Sequence, residues 1–255
     1  MEERIVKLLD RNGINATPYE ATRNGVTRHG IRLGENQIAP VLYLTDDLAT
    51  MTDAEIMEIV NGMLANEPQL EIDKLIDAEF IYSHCRIVVG KPDPSPTYKI
   101  RTELGIEGNI YVDINSDMGY RISEELANRL DTYELYCHAR RNTERDLKIV
   151  SMATMLGLPE EIGIPMYVIT SSEMKYGASA ILFPEIFRNF CLEHGYSEIE
   201  IIPSSVHELI VIPANEFVTE LDPLIASINS DMVDEVEQLA DHHYKYSLET
   251  GRVTY

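Results

Sequence analysis

The chain has 255 residues, 44% of them hydrophobic and 25% charged, and its 21 Lys+Arg against 43 Asp+Glu give a formal net charge of −22. That is enough apolar material for one large core or two small ones. The charge excludes direct nucleic-acid binding and attachment to anionic membranes as default roles, because both depend on Lys and Arg facing phosphate.

The first residues, Met1 to Ile5, lack the basic-then-apolar pattern of a secretory signal. No apolar run approaches the roughly 18 residues that span a bilayer. A cytoplasmic protein with no membrane contact is expected. Cys85, Cys137 and Cys191 are far apart with no Cys-x-x-Cys, so free thiols are expected and no disulfide framework.

Ile5, Leu8 and Leu9 have helical spacing over residues 2–10. Residues 26–33 and 38–44 read as strands, with Pro40 placing the second at an edge or at its own start. Thr52 and Glu55 form a capping-box pair before a helix over 53–64. Residues 79–89 are apolar and β-branched, which predicts a strand. The segment GKPDPSP at 90–96 is a loop, and 109–114 a short strand. Ser123 caps a helix through Leu130.

From Asp131 to Leu156, Leu135, Tyr136, Ala139, Thr143, Leu147, Val150 and Thr154 recur with helical period. Asp131 supplies a start and Gly157 an end, so one long helix is predicted. A strand over 165–170 and a turn over 171–177 follow, then a mostly helical 178–195 in which Pro184 either opens a helix or kinks it. Residues 198–202 and 206–212 alternate like strands, two acidic helices are expected over 216–229 and 231–243, and the final residues read as a hairpin around Glu249-Thr250-Gly251.

The element order is not the βαβα rhythm of a doubly wound fold. It predicts an α+β protein with largely antiparallel sheets and flanking helices. Two lobes, 1–130 and 157–255, would be joined by the 131–156 helix.

The densest chemistry is Ser204-Ser205-Val206-His207-Glu208. On an extended strand Ser205 and His207 would share a face, as a nucleophile–base pair requires, with Glu208 beside them. The plainer reading is a turn in which the serines bond local backbone. His207-Glu208 lacks the H-e-x-x-H spacing of a zinc site, since position 211 is Val, and no metal or cofactor is expected. Tyr176-Gly177 is a possible wall of the site, and Gly177 reads as a turn glycine with positive φ. Arg141, Arg145 and Lys148 would share one helical face as an anion site, unless neighbouring carboxylates neutralise them. Residues 156–255 hold 17 Asp/Glu and 4 Lys/Arg, so −13 of the charge lies there.

Three stretches carry a resemblance: Asn24-Gly25-Val26 with His29-Gly30-Ile31 and IAPVLYL (38–44); MYVIT with YGASAILFPEIF (166–187); and IIPSSVHELIVIPA (201–214). The chain resembles a bacterial domain-of-unknown-function family over nearly all of residues 160–255 and a short part of 20–60, while about 70–130 departs from it. The resemblance implies no substrate, cofactor or catalytic residue. It implies an accessory protein of bacteria and their mobile elements. A non-enzymatic intracellular interaction protein with a protein partner is therefore the leading expectation. A hydrolase or phosphate-acting enzyme around Ser205 and His207, and an acidic mimic of DNA, are the alternatives.

Overall fold

Helical spacing of Ile5 and Leu9 behind Glu2 and Glu3 produces α1 (Glu2–Arg11) in the computed structural model. The structure describes residues 1–36, 39–66, 71–116, 118–159, 165–214 and 220–255. Contacts divide the chain into two units, Met1–Leu75 and Ile76–Tyr255.

In the first unit, β1 (Ala16–Arg23) and β2 (Val26–Leu33) pair antiparallel from Arg23↔Val26 to Ala16↔Leu33. Asn24 (φ 53°) and Gly25 (φ 77°) form the two-residue turn between them. Positive φ at both positions is what a primed hairpin turn needs, and Asn-Gly is its usual pair. β3 (Val41–Tyr43) completes the sheet beside β2. Ile38, where that strand was expected to begin, lies outside the described residues. α2 (Asp46–Thr50) follows, then α3 (Asp53–Ala65), with the predicted capping box in place: Glu55 N–H to Thr52 Oγ1 at 3.3 Å and Thr52 N–H to Glu55 at 2.7 Å. α4 (Ile72–Leu75) ends the unit. Its core is Ile5, Leu9, Ile31, Leu33, Ile56 and Val60.

The second unit opens with a correction. Residues 79–89 are not one strand: α5 (Ala78–His84) runs directly into β4 (Cys85–Gly90). Asp77 caps α5 by accepting from Phe80 N–H at 3.0 Å, a start signal that apolar composition hides. β5 (Lys99–Arg101), β6 (Glu107–Asp113) and β7 (Gly119–Arg121) complete a four-stranded antiparallel sheet in which β6 pairs with the other three. α6 (Glu124–Ala127) is capped by Ser123.

The expected long helix is also corrected. α7 covers Thr132–Asp146 only; β8 (Leu147–Ser151) and α8 (Met152–Leu156) follow. Both predicted ends hold: Asp131 accepts from Tyr133 and Glu134 N–H at 2.9 and 3.1 Å, and Gly157 is left-handed at φ 66°. The middle is lost because Leu147–Ser151 pairs residue by residue with β9 (Tyr167–Ser171). Pairing with a neighbouring strand outweighs a local helical period. β8, α8 and β9 thus belong to the same unit as residues 76–130.

After β9 come a 3₁₀ turn (Gly177–Leu182) and α9 (Pro184–His194), with Pro184 at the first helical position. β10 (Glu198–Ser205) and β11 (Glu208–Pro213) are followed by α10 (Leu221–Met232). Residues 216–219 of the first expected acidic helix are outside the described residues. The second, over 231–243, does not form: beyond Met232 the chain turns, and Asn229 Nδ2 donates to Ala240 O at 3.0 Å and Asp241 at 2.7 Å to hold it. β12 (Tyr244–Ser247) and β13 (Arg252–Thr254) are the expected hairpin. The six-stranded sheet runs β13-β12-β10-β11-β9-β8, all antiparallel. Strand alternation separates its two faces: Ile199, Ile201, Leu209 and Val211 join the main core with α9, while Ile202, Ile210 and Ile212 meet Leu221 and Ile225 of α10. The chain is α+β, as its element order predicted.

β4 is buried on the side away from β6, and two hydroxyls bond its backbone there. Thr143 Oγ1 on α7 accepts from Ile87 N–H at 2.8 Å, and Ser179 Oγ donates to Ile87 O at 2.7 Å. This explains a threonine in an otherwise apolar helical stripe. Thr143→Val keeps the shape but orphans a buried N–H, so it is expected to cost about 1–3 kcal/mol in urea unfolding, while Thr143→Ser keeps most of the stability.

Candidate functional site

The 204–208 run closes the β10–β11 hairpin, with Ser205 opposite Glu208 and Val206-His207 at the tip. Strand alternation therefore stops at the tip. Ser205 Oγ accepts from His207 N–H at 3.0 Å, and Ser204 Oγ donates to Glu208 Oε1 at 3.0 Å. His207 is half-buried. Its Nδ1 accepts from Tyr176 N–H at 3.2 Å, so the neutral ring carries its proton on Nε2, which lies 3.5 Å from Glu237. The structure brings His207 and Tyr176 together (ring centroids 5.2 Å apart) and gives the Ser205 hydroxyl a backbone partner.

Gly177 departs from expectation. The left-handed residues here are Met174 (φ 58°) and Tyr176 (φ 59°), not Gly177. Gly177 is needed for close approach: a Cβ would sit 2.2 Å from Thr170 Cα and 2.9 Å from His207 O. Its N–H donates to His207 O at 2.8 Å.

The basic trio is divided. Arg141 and Arg145 lie one turn apart on α7, but Lys148 is on β8 opposite Thr170, so no common helical face joins the three. Their neighbour Arg140 pairs with Glu144 at 2.7 Å and also with Glu185. Arg145 alone of the trio lines a cavity, of about 430 Å³.

That cavity forms where β4 begins, β6 and α7 end, and the chain leaves β9. Its floor is Arg86, with Nε 2.6 Å from Asp113 and Nη1 3.3 Å from Asp146. Asp146, the last residue of α7, also accepts from Ser172 N–H at 3.4 Å and from the Ser172 hydroxyl, which ties the helix end to the loop after β9. Asn142 Nδ2 donates to Tyr82 O at 3.1 Å and Cys85 O at 2.9 Å, closing the α5–β4 corner over the cavity. Burial raises the Asp113 carboxyl; Arg86 opposes this and nearby Glu173 and Asp146 add to it. Burial likewise pushes the Cys85 thiol up to about 12, so it is no nucleophile at neutral pH.

Arg86, Asp113, Asp146, Ser172 and Glu173 did not stand out in the sequence. One signal was available: a lone Arg in the apolar strand CRIVVG must find a charge partner once buried.

Among the described residues no helix is long and apolar enough to cross a membrane. Neither the curated proteins nor the solved structures contain a match to this chain. A family model described as "Family of unknown function (DUF5688)" matches residues 114–248. The match starts upstream of the 160–255 stretch on which the resemblance mainly rested, omits the stretch around 20–60, and takes in α7 and the Asn142, Arg145, Asp146 and Ser172 side of the cavity. Because it spans more than half of the sequence, the chain belongs to this family of unknown function.

Proposed function

We propose that this chain is a non-enzymatic binding protein whose α10 docks a basic, amphipathic segment of a partner protein. The observation that carries the reading is an outward stripe on α10: Leu224, Ile228 and Met232, spaced i, i+4, i+8, are 45%, 43% and 81% exposed. Leu221 and Ile225, three residues before Leu224 and Ile228 and so beside them on the helix, are already buried on the sheet, and the stripe is the exposed margin of that apolar face. Exposed stripes of this kind serve interaction.

Charge argues for the sign of the partner. From residue 189 to 244 there is no Lys or Arg, and Asp231, three residues after Ile228, lies beside the stripe. A mimic of DNA would use the same acidity, but an apolar stripe has no counterpart on a phosphate backbone. A hydrolytic site at Ser205 and His207 is less supported, because both imidazole nitrogens and the Ser205 hydroxyl face other groups. A cytoplasmic setting in a bacterium or its mobile DNA belongs to the same proposal and rests on the family resemblance and the net charge.

The test is a photoreactive residue at position 228 in the native host. The reading expects a protein adduct carrying a basic amphipathic helix, lost in the Leu224→Asp/Met232→Asp double variant with thermal stability unchanged. Adducts confined to a second copy of this chain or to lipid, or an adduct indifferent to the double variant, overturn it.

A further inference from the structure

We infer that the cavity floored by Arg86 takes a small zwitterion of the free α-amino acid or short-peptide class, its carboxylate toward Arg145 and its ammonium toward Glu173. The inference concerns a different face from α10 and does not depend on it.

The size is right for a small ligand. About 430 Å³ falls within the range of small-molecule sites and exceeds what a single ion would need.

The charges choose the ligand. Arg86 lies between Asp113 and Asp146, so the floor neutralises itself. Among the described residues, Arg145 and Glu173, both lining the cavity and both exposed, have no ion-pair or hydrogen-bond partner. A simple anion would gain Arg145 but meet three carboxylates in a protein of net charge −22. A simple cation would gain Glu173 but meet two guanidiniums. A molecule bearing both charges satisfies both walls. Ser116 and Asn115 supply further polar groups on the rim.

The walls are held in place before any ligand arrives. Asp146 ties the α7 end that carries Arg145 to Ser172, the residue before Glu173. Met174 and Tyr176 are both left-handed, so the loop carrying Glu173 holds a conformation that non-glycine residues adopt only when their surroundings impose it. Preorganised walls lower the cost of binding. Cys85 is buried and protonated, so its thiol is not a nucleophile in this site.

Titration calorimetry on the full chain tests this, with the free α-amino acids and a set of dipeptides as probes. At least one is expected to bind saturably at one site. Its N-acetylated form, which keeps only the carboxylate, and its amide, which keeps only the ammonium, should each bind at least about tenfold more weakly, the scale of one charge-assisted hydrogen bond. Arg145→Gln and Glu173→Gln should each weaken it comparably with unchanged melting temperature, and Lys148→Gln, away from the cavity, should leave it intact. The inference is overturned if no probe binds, if the blocked forms bind as well as the parent, if either Gln variant binds normally, or if inorganic phosphate or spermidine displaces the bound probe.

Discussion

Asp93→Asn is expected to destabilise the second unit by about 3–5 kcal/mol, the scale for removing one partner of a buried ion pair. Asp93 sits in the GKPDPSP loop with its side chain 1% exposed, and both carboxylate oxygens carry a charge partner: Lys99 Nζ at 3.0 Å and Arg121 Nη1 at 2.8 Å. Ser95 adds its N–H at 2.9 Å and its hydroxyl, and Glu107 shares Lys99. The substitution keeps the shape and removes the charge. Arg121 and the Lys99–Glu107 pair then lie in a poorly solvated pocket with their central anion gone. Urea unfolding at pH 7 with an unchanged m-value measures the effect, and a loss below about 1 kcal/mol refutes the account.

Acid titration gives the same network a sign. Burial alone would raise the Asp93 carboxyl, but hydrogen bonds from Ser95, Arg121 and Lys99 outweigh it and hold the group well below the usual carboxylate range. A folded-state value below the unfolded one, about 3.9, means that the contribution is complete above about pH 4 and is lost as pH falls. The gap between the parent protein and Asp93→Asn should therefore be constant from pH 7 to 5 and shrink below about pH 4. A gap that stays level down to pH 3 contradicts the assignment.

This network lies in a segment whose sequence announced only a loop. GKPDPSP does break regular structure, as prolines and glycine must, but nothing local says that Asp93 is its anchor, because Arg121 is 28 residues away. The cavity was hidden for the same reason. Arg86, Asp113, Asp146 and Ser172 come from four segments, and only the sheet pairing brings them together. Signals that act within a few residues were legible: the Thr52–Glu55 capping box, the Asp131 cap, Gly157 as a helix end, Pro184 as a helix start, and the final hairpin. Errors arose where a distant partner overruled a local pattern. Leu147–Ser151 fits a helical period until β9 claims it. Residues 79–84 are apolar enough for a strand until Asp77 caps them as a helix. β1, with the composition ATPYEATR, has almost no apolar signal, and its partner across Asn24-Gly25 defines it. Ser205 and His207 are close as the sequence suggested, but a hairpin tip sets their geometry, and local backbone bonds absorb the hydroxyl.

Gly177→Ala is the second substitution with a large expected effect, about 3 kcal/mol or more, at the upper end of overpacking costs. A methyl group there would lie 2.2 Å from Thr170 Cα, 2.7 Å from Thr170 C and 2.9 Å from His207 O. These are backbone atoms of β9 and of the β10–β11 tip, which no rotamer change can move aside. The 3₁₀ turn would have to retreat, and three bonds would go with it: Gly177 N–H to His207 O, Tyr176 N–H to His207 Nδ1, and Ser179 Oγ to Ile87 O. The last of these reaches the four-stranded sheet, so the loss should spread beyond the turn. Amide hydrogen exchange is the sharper readout: faster exchange is expected in β4 as well as in β9 and at the hairpin tip. A near-normal melting temperature, or faster exchange confined to residues 172–182, would mean that the turn can move without loosening the sheets. In that case the pattern Tyr176-Gly177-Ala178 would reflect a local bend, and the positions of Ser172 and Glu173 at the cavity would not depend on it.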